Sequence, residues 1–309
     1  MKLQRVLVIY RKSLYQIYVE EHAEHSVKRA LRRRDSVALA LRQSHDANRA
    51  ALDATLQVLE QRGVEAVVRW RAHVRSTRAF DLVLSVGGDG TLLDISHRIV
   101  DGTPLLGVNS DPERSVGALC AADAATLPRL LDELAAGRLR PRRVTRIRVR
   151  VDGEEVLGPT LNDVLVAHAC PAGLSRFDLA LVPAEQAAAS HSGYDGAEFR
   201  PCRGSGIWVS TAMGSTAAIH SAGGAVLPPS SRDLQYLIRE PYRRPGAPRP
   251  GTPRGRVTPE HALVLVSRIR QGMIWSDGAH RRRTLGYSQQ LMIDRHPSEL
   301  TLVLPRRRS

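Results

Sequence analysis

A short apolar run, Asp81-Leu82-Val83-Leu84-Ser85-Val86, leads directly into Gly87-Gly88-Asp89-Gly90-Thr91, and no other stretch restricts the fold as much. A mostly apolar run of this length reads as a strand buried on both faces, the kind that parallel sheets contain. Leu92, Ile95 and Ile99 then fall at helical spacing, Gly102 and Pro104 stop that helix, and Leu105 to Val108 supplies another strand. Strand, glycine turn, helix and strand make a βαβ unit, and such units gather ligands at the carboxyl ends of their strands. The glycines allow close backbone approach, and the free N–H groups that open the helix favour phosphate. Asp89 then lies beside a bound polyphosphate, where a carboxylate accepts a proton from an attacking hydroxyl or helps to hold Mg²⁺. Gly-Gly-Asp-Gly taken alone is equally an ordinary turn. The helix behind it favours phosphate, since a hairpin would be followed by a strand.

The kind of positive charge narrows the chemistry further. Lysine occurs only at Lys2, Lys12 and Lys28, so nearly all of the 45 basic residues are arginine. A Walker A loop needs a lysine after its glycines and a protein kinase needs one on its third strand, so both are excluded. A nucleoside triphosphate here must be held by backbone N–H groups, arginines and metal. The net charge of +14 admits nucleic acid, but aromatic content is 4% and no stacking motif or basic recognition helix is present, so nucleic acid is not expected as a partner. No apolar run approaches the roughly 18 residues of a membrane span. Cys120, Cys170 and Cys202 are odd in number and far apart, which fits neither a disulfide framework nor a zinc cluster and suits a reducing cytoplasm.

Length and pattern predict two domains. Residues 4–10, 64–70, 81–86 and 105–108 read as strands of an open parallel sheet, with a helix from His45 to Arg62 and another over Leu127, Leu130, Leu131 and Leu134, closed by Gly137. The basic run Lys28 to Arg34 belongs on a solvated helix face. From Val144 the period drops to two, Asp152-Gly153 is a hairpin turn, and strand-like runs recur at 164–167, 177–182, 207–210, 262–269 and 300–304. The expectation is an α/β domain over residues 1–142 and an all-β antiparallel sandwich over 143–309. A short helix interrupts the second domain at 214–222, and the Pro/Arg/Gly-rich stretch 241–256 reads as a loop.

Several further motifs carry hydroxyls, amides and carboxylates: Asn109 to Ser115 in a polar loop after a strand, Asn162-Asp163 before a strand, Ser210-Thr211-Ala212-Met213-Gly214-Ser215-Thr216-Ala217 at a helix start, and Asp277-Gly278. Each has a bland reading as an Asx turn or a helix cap. In this order, with Ser221-Ala222-Gly223-Gly224 after the third, they resemble the NAD kinase family over about residues 4–304. Gly107 to Ser115, Ile238-Arg239-Glu240-Pro241 and the insertion after the first strand look more like the mitochondrial type of animals than the common bacterial type.

The resemblance implies a kinase that moves the γ-phosphoryl group of ATP, with Mg²⁺, to the 2′-hydroxyl of the adenosine ribose of NAD, giving NADP. It makes Asp89 the base or a metal-organising carboxylate, and Gly87, Gly88, Gly90 and Thr91 the phosphate turn. Asn162 and Asp163 would hold adenine and ribose, and Ser210, Thr211, Gly214, Ser215, Thr216 and Ala217 would contact adenine and neighbouring atoms. Asp277 with Gly278 would lie beside the reacting phosphate, and Asn109 is a further nucleotide contact. Arg239, Arg243 and Arg244 are candidates for ATP phosphates. A homodimer is implied by the resemblance alone. The sequence departs from the family in three ways: Ser205 replaces an acidic residue between two glycines, Asp163 stands where Glu is more frequent, and no segment after Leu304 returns to the first domain. The rivals are a lipid kinase of the diacylglycerol or sphingosine type, which shares the glycine turn, and a catalytically weak NAD(P)-binding regulator, suggested by Ser205.

Overall fold

The computed structural model describes residues 2–189, 197–242 and 254–304, and it divides into two units, Met1–Arg143 with Leu300–Ser309, and Val144–Glu299. In the first unit a parallel sheet runs in the order Glu65–Trp70, Arg5–Tyr10, Leu82–Gly87, Leu105–Asn109, Leu300–Leu302. Every residue of Leu82–Gly87 and of Leu105–Asn109 is buried, as a near-continuous apolar run requires of a central parallel strand. Val6, Val8, Leu84, Leu106 and Val108 share one core with Val58 and Leu59 from the long helix Ser36–Gln61.

That helix starts well before the expected His45. Asp35 is its N-cap, its carboxylate accepting the Val37 and Ala38 N–H groups at 3.0 and 3.2 Å. The basic run ahead of it lies mostly on the helix His25–Arg32, which buries nothing, as a solvated face should. The helix behind the glycine turn is shorter than its apolar spacing suggests, Asp89–Ser96, and Ile99 is buried beyond its end.

One element changes sides. The sequence reading assigns 300–304 to the antiparallel domain and finds no returning segment, but Leu302 pairs in parallel with Leu105, and Val303 enters the first unit's core. Leu300, Leu302 and Val303 are all fully buried, a run that suits a parallel sheet covered on both faces.

The second unit holds two six-stranded antiparallel sheets. One contains Ile147–Val151, Ser175–Pro183 and His261–Ser267; the other contains Asp163–His168, Gly206–Ser210 and Gly272–Ser276. Ile147, Val149, Phe177 and Leu265 from the first sheet meet Val164, Val166, Ile207 and Ile274 from the second in a single core, which makes the unit a sandwich. Asp152 and Gly153 take φ of 50° and 87°, the paired positive angles of a two-residue hairpin turn. Ser205 sits where the chain passes from one sheet, at Arg200–Gly204, to the other, at Gly206–Ser210. Within the stretch expected to be a loop, Arg254–Val257 is a strand beside Leu234–Arg239; Arg243 and Arg244 lie outside the described residues.

Candidate active site

In the first unit, Gly87 ends its strand level with Asn109 on the neighbouring one, so turn and loop leave the sheet together at its carboxyl edge. Gly88 is the N-cap of the following helix and has no side chain to satisfy the opening N–H groups; that of Thr91 donates to Gly88 O at 2.9 Å, and those of Asp89 and Gly90 are the ones an anion could take. Sterics constrain two of the glycines, Gly87 most strongly. A Cβ on Gly87 would collide with the Thr91 side chain, and one on Gly88 would come within 2.9 Å of Ser115 Oγ. Gly90 is exposed, with open space around the position of its missing Cβ. The Thr91 hydroxyl is buried without a hydrogen-bond partner.

Asp89 is half-buried, and its two carboxylate oxygens accept the N–H groups of Leu119 and Ala118 at 2.8 and 2.9 Å. The carboxylate therefore ties the polar loop to the glycine turn while each oxygen keeps a second lone pair. Cys120 Sγ lies 3.9 Å away, and burial, then the charge of Asp89, pushes its thiol up to about 12. Asn109 has both ends of its amide engaged in the loop: Nδ2 donates to Ser115 O at 2.9 Å and Oδ1 accepts from the Asp111 N–H at 3.2 Å. Gly117, at φ 58°, packs so closely on this amide that a side chain there would displace it. Asn109 is thus a scaffold of the loop, which borders a cavity of about 630 Å³ together with Ser115, Cys120 and Asp123. Asn48, which no motif marks, donates to Ser110 Oγ at 2.9 Å from the long helix and fixes the start of that loop.

In the second unit, three motifs distant in sequence are brought together by antiparallel pairing. Asp163 begins its strand; Ser210 ends one neighbour, in register with Asp163, and Ser276 ends the other, in register with Val164. The residues just beyond, Thr211 and Asp277, therefore meet Asn162 at one edge. Thr211 Oγ1 donates to Leu161 O at 2.5 Å and accepts the N–H groups of Met213 and Gly214 at 3.0 and 3.2 Å. Gly214 presses on the Asn162 carbonyl and has no room for a Cβ. Ser215 Oγ donates to Ala212 O and accepts the Leu227 N–H at 2.9 Å, while Thr216 is exposed and Ala217 half-buried.

Asp277, at φ 48°, accepts the backbone N–H groups of Leu161, Asn162 and Asp163 at 2.8, 2.7 and 3.1 Å. Expected beside a phosphate, Asp277 is in this structure also the clasp of the turn that carries Asn162 and Asp163. Gly278 follows at φ 109°, an angle that favours glycine. Asn162 Oδ1 and Ser210 Oγ are buried with no partner, the orphaned atoms a ligand would satisfy. Burial, then the Asp277 charge, pushes the Asp163 carboxyl up to about 7. Arg146, fully buried and unremarked in the sequence, donates to Ser298 O and Oγ at 2.8 Å; burial draws its pKa down to about 10, opposed by Asp277. Among the described residues, no three His, Cys, Asp or Glu side chains converge as a metal cage. The lone pairs that Asp89 keeps suit a hydrogen bond to a metal-bound water better than direct ligation in a protein cage.

Residues 1–139 match the family model of the ATP-NAD kinase N-terminal domain. A probable NADH kinase of Oryza sativa subsp. japonica is 39% identical over 240 residues, 73% of this chain and 71% of that protein. The mitochondrial NAD kinase 2 of Rattus norvegicus is 30% identical over 159 residues, 48% of this chain and 37% of the relative. In fold, an NAD kinase of Archaeoglobus fulgidus in complex with ATP aligns at a TM-score of 0.64 and 21% identity, across 97% of this chain and 93% of that one.

Proposed function

Because the chain belongs to the NAD kinase family, we propose that it transfers the γ-phosphoryl group of ATP to the 2′-hydroxyl of the adenosine ribose of NAD or NADH. The observation that carries this reading is the convergence of Asn162-Asp163, Ser210 to Gly214 and Asp277 on one sheet edge, with Asn162 Oδ1 and Ser210 Oγ left for a ligand. Phosphoryl transfer asks for positioning and charge stabilisation rather than covalent chemistry by the protein, so the scarcity of lysine is no obstacle.

In the first unit, the N–H groups behind Gly88 bind phosphate and Asp89 takes the proton of the attacking hydroxyl. In the second, Asn162 and Asp163 orient adenine and ribose, and Asp277 keeps their turn in place. When bound, Mg²⁺ would neutralise charge on the phosphate oxygens, and Asp89 is the residue that would hold it. The similarity to a probable NADH kinase as well as to NAD kinases supports either redox form as acceptor. Homodimerisation follows from the family resemblance. A reducing cytoplasm is supported by three cysteines that are all free. Among the described residues no helix is long and apolar enough to cross a membrane. No observation favours a lipid kinase or a silent regulator.

The test is product formation by the purified chain with ATP and Mg²⁺, offered NAD, NADH or diacylglycerol in parallel. NADP or NADPH that disappears on chelation and returns with Mg²⁺ is the expected outcome. Phosphorylation of the lipid, or of nothing, rejects the reading.

A further inference from the structure

The polyphosphate of a donor carries several negative charges, and strand register brings to it cations other than Arg239, Arg243 and Arg244, the candidates that the sequence offers. Tyr10 pairs with Trp70 on one side and with Val86 on the other. The next residues, Arg71, Arg11 and Gly87, therefore leave neighbouring strand positions in one row at the carboxyl edge of the parallel sheet, Arg71 as the first residue of a 3₁₀ turn. This edge is where ligands of open α/β sheets bind, and the third member of the row opens the glycine turn.

The charges of this row are poorly balanced from within. Arg11 is reached by solvent but crowded by protein: burial first, then the charge of Arg71, holds its pKa below the ordinary arginine value, and only Asp111 opposes them. Asp111 is already bonded to Arg114 Nη1 through Oδ1 at 3.2 Å. Arg71 has a loose pair, its Nε 3.7 Å from Asp94 Oδ2. Lys12, the one lysine nearby, is taken by Glu21 at 2.7 Å and lies over the Trp70 ring at 4.6 Å. Two arginines thus leave adjacent strand ends, close enough for the charge of Arg71 to act on Arg11, next to the glycine turn. An anion between them relieves their repulsion, and the planar fork of arginine suits phosphate oxygens.

Resting on the reading that the chain uses a nucleoside triphosphate, we propose that Arg11 and Arg71 bind the terminal phosphates of the donor beside Gly87–Gly90, doing the work that a lysine does in other kinases. They act on the donor and not on the dinucleotide.

The experiment compares the wild type with Arg11→Gln, Arg71→Gln and Arg11→Lys, using calorimetry with ATP and with inorganic tripolyphosphate, and steady-state kinetics for both substrates. Each glutamine variant is expected to raise the Kd for tripolyphosphate and the KM for ATP at least about tenfold, the scale of a charge-assisted hydrogen bond. The KM for NAD should stay within about twofold, and Arg11→Lys should recover part of the loss because it keeps the charge. Tripolyphosphate affinity unchanged in both glutamine variants overturns the proposal, as does a loss confined to NAD. If Arg11→Gln fails to give a cooperative thermal melt, Arg71→Gln and Arg11→Lys decide. The binding arm needs no turnover, so a wild type that binds tripolyphosphate through these arginines but phosphorylates no dinucleotide refutes the kinase reading and leaves this one standing.

Discussion

The carboxylate of Asp277 accepts the backbone N–H of Asn162 at 2.7 Å, so a residue from one strand end sets the conformation of a turn far from it in sequence. The same carboxylate also takes the N–H groups of Leu161 and Asp163. In Asp277→Asn one of its oxygens becomes an NH₂ group facing an N–H donor. The expected loss is about 2–3 kcal/mol of stability, that of a charge-assisted bond to a group left partly unsatisfied. The KM for NAD should rise along with it. Urea unfolding and steady-state kinetics check both; a variant that loses rate alone, with stability and KM intact, would place Asp277 at the phosphate instead.

Asp163 makes stability depend on pH. Its carboxyl stands at about 7 in the folded chain against a reference of 3.8, so between these values the folded state holds a proton that the unfolded state has lost. Its contribution is therefore fully present below about pH 4 and is lost as pH rises to about 7, at no more than about 1.4 kcal/mol per unit. Asp163→Asn removes this slope. The stability gap in favour of the variant should widen between pH 5 and 7 and stay constant above, as read by urea unfolding at pH 5, 6, 7 and 8. A gap that does not change with pH rejects the assignment.

Asp89→Asn should lower kcat by about 10²–10⁴, the usual scale for a general base, while the KM for NAD stays nearly unchanged. The amide also loses one of its two backbone acceptors, so the Ala118 and Leu119 N–H groups should exchange faster with deuterium. Faster exchange with undiminished turnover would leave Asp89 as a loop clasp and no base.

The turn glycines separate fold from function. Gly87→Ala drives a methyl group into Thr91 and should cost about 1–3 kcal/mol. Gly90→Ala meets nothing in the protein and occupies a helical position, so stability should hold or rise by about 0.5–1 kcal/mol. If phosphate approaches Gly90, ATP affinity nonetheless falls. Thermal melts with and without ATP measure both effects, and a Gly90→Ala variant that binds ATP normally would move the phosphate away from this position.

The parallel sheet and the sandwich were readable because Leu82 to Val86 is a near-continuous apolar run and Ile147, Val149 and Val151 alternate with arginine: burial on two faces and on one leave different periods. The glycine turn was readable because close packing against Thr91 and Ser115 leaves little room for side chains at Gly87 and Gly88. What local pattern could not show was pairing. That Ser210, Asp163 and Asp277 meet at one edge depends on which strands are neighbours. The row Arg71-Arg11-Gly87 depends on register. Leu300 to Val303 is too short and too uniform for its sequence to say which sheet it joins. The roles of Asn109 and Asp277 as scaffolds were hidden because a ligand contact and a backbone contact call for the same polar side chain.

The return of Leu300–Leu302 to lie beside Leu105 has a bearing on how the chain is made. Synthesis from the amino end releases every strand of the sandwich from the ribosome before the parallel sheet receives its last one. The half that begins first is therefore the half that finishes last, its flank at Leu105 uncovered throughout elongation. A fragment cut at Arg143 would keep that bare flank permanently.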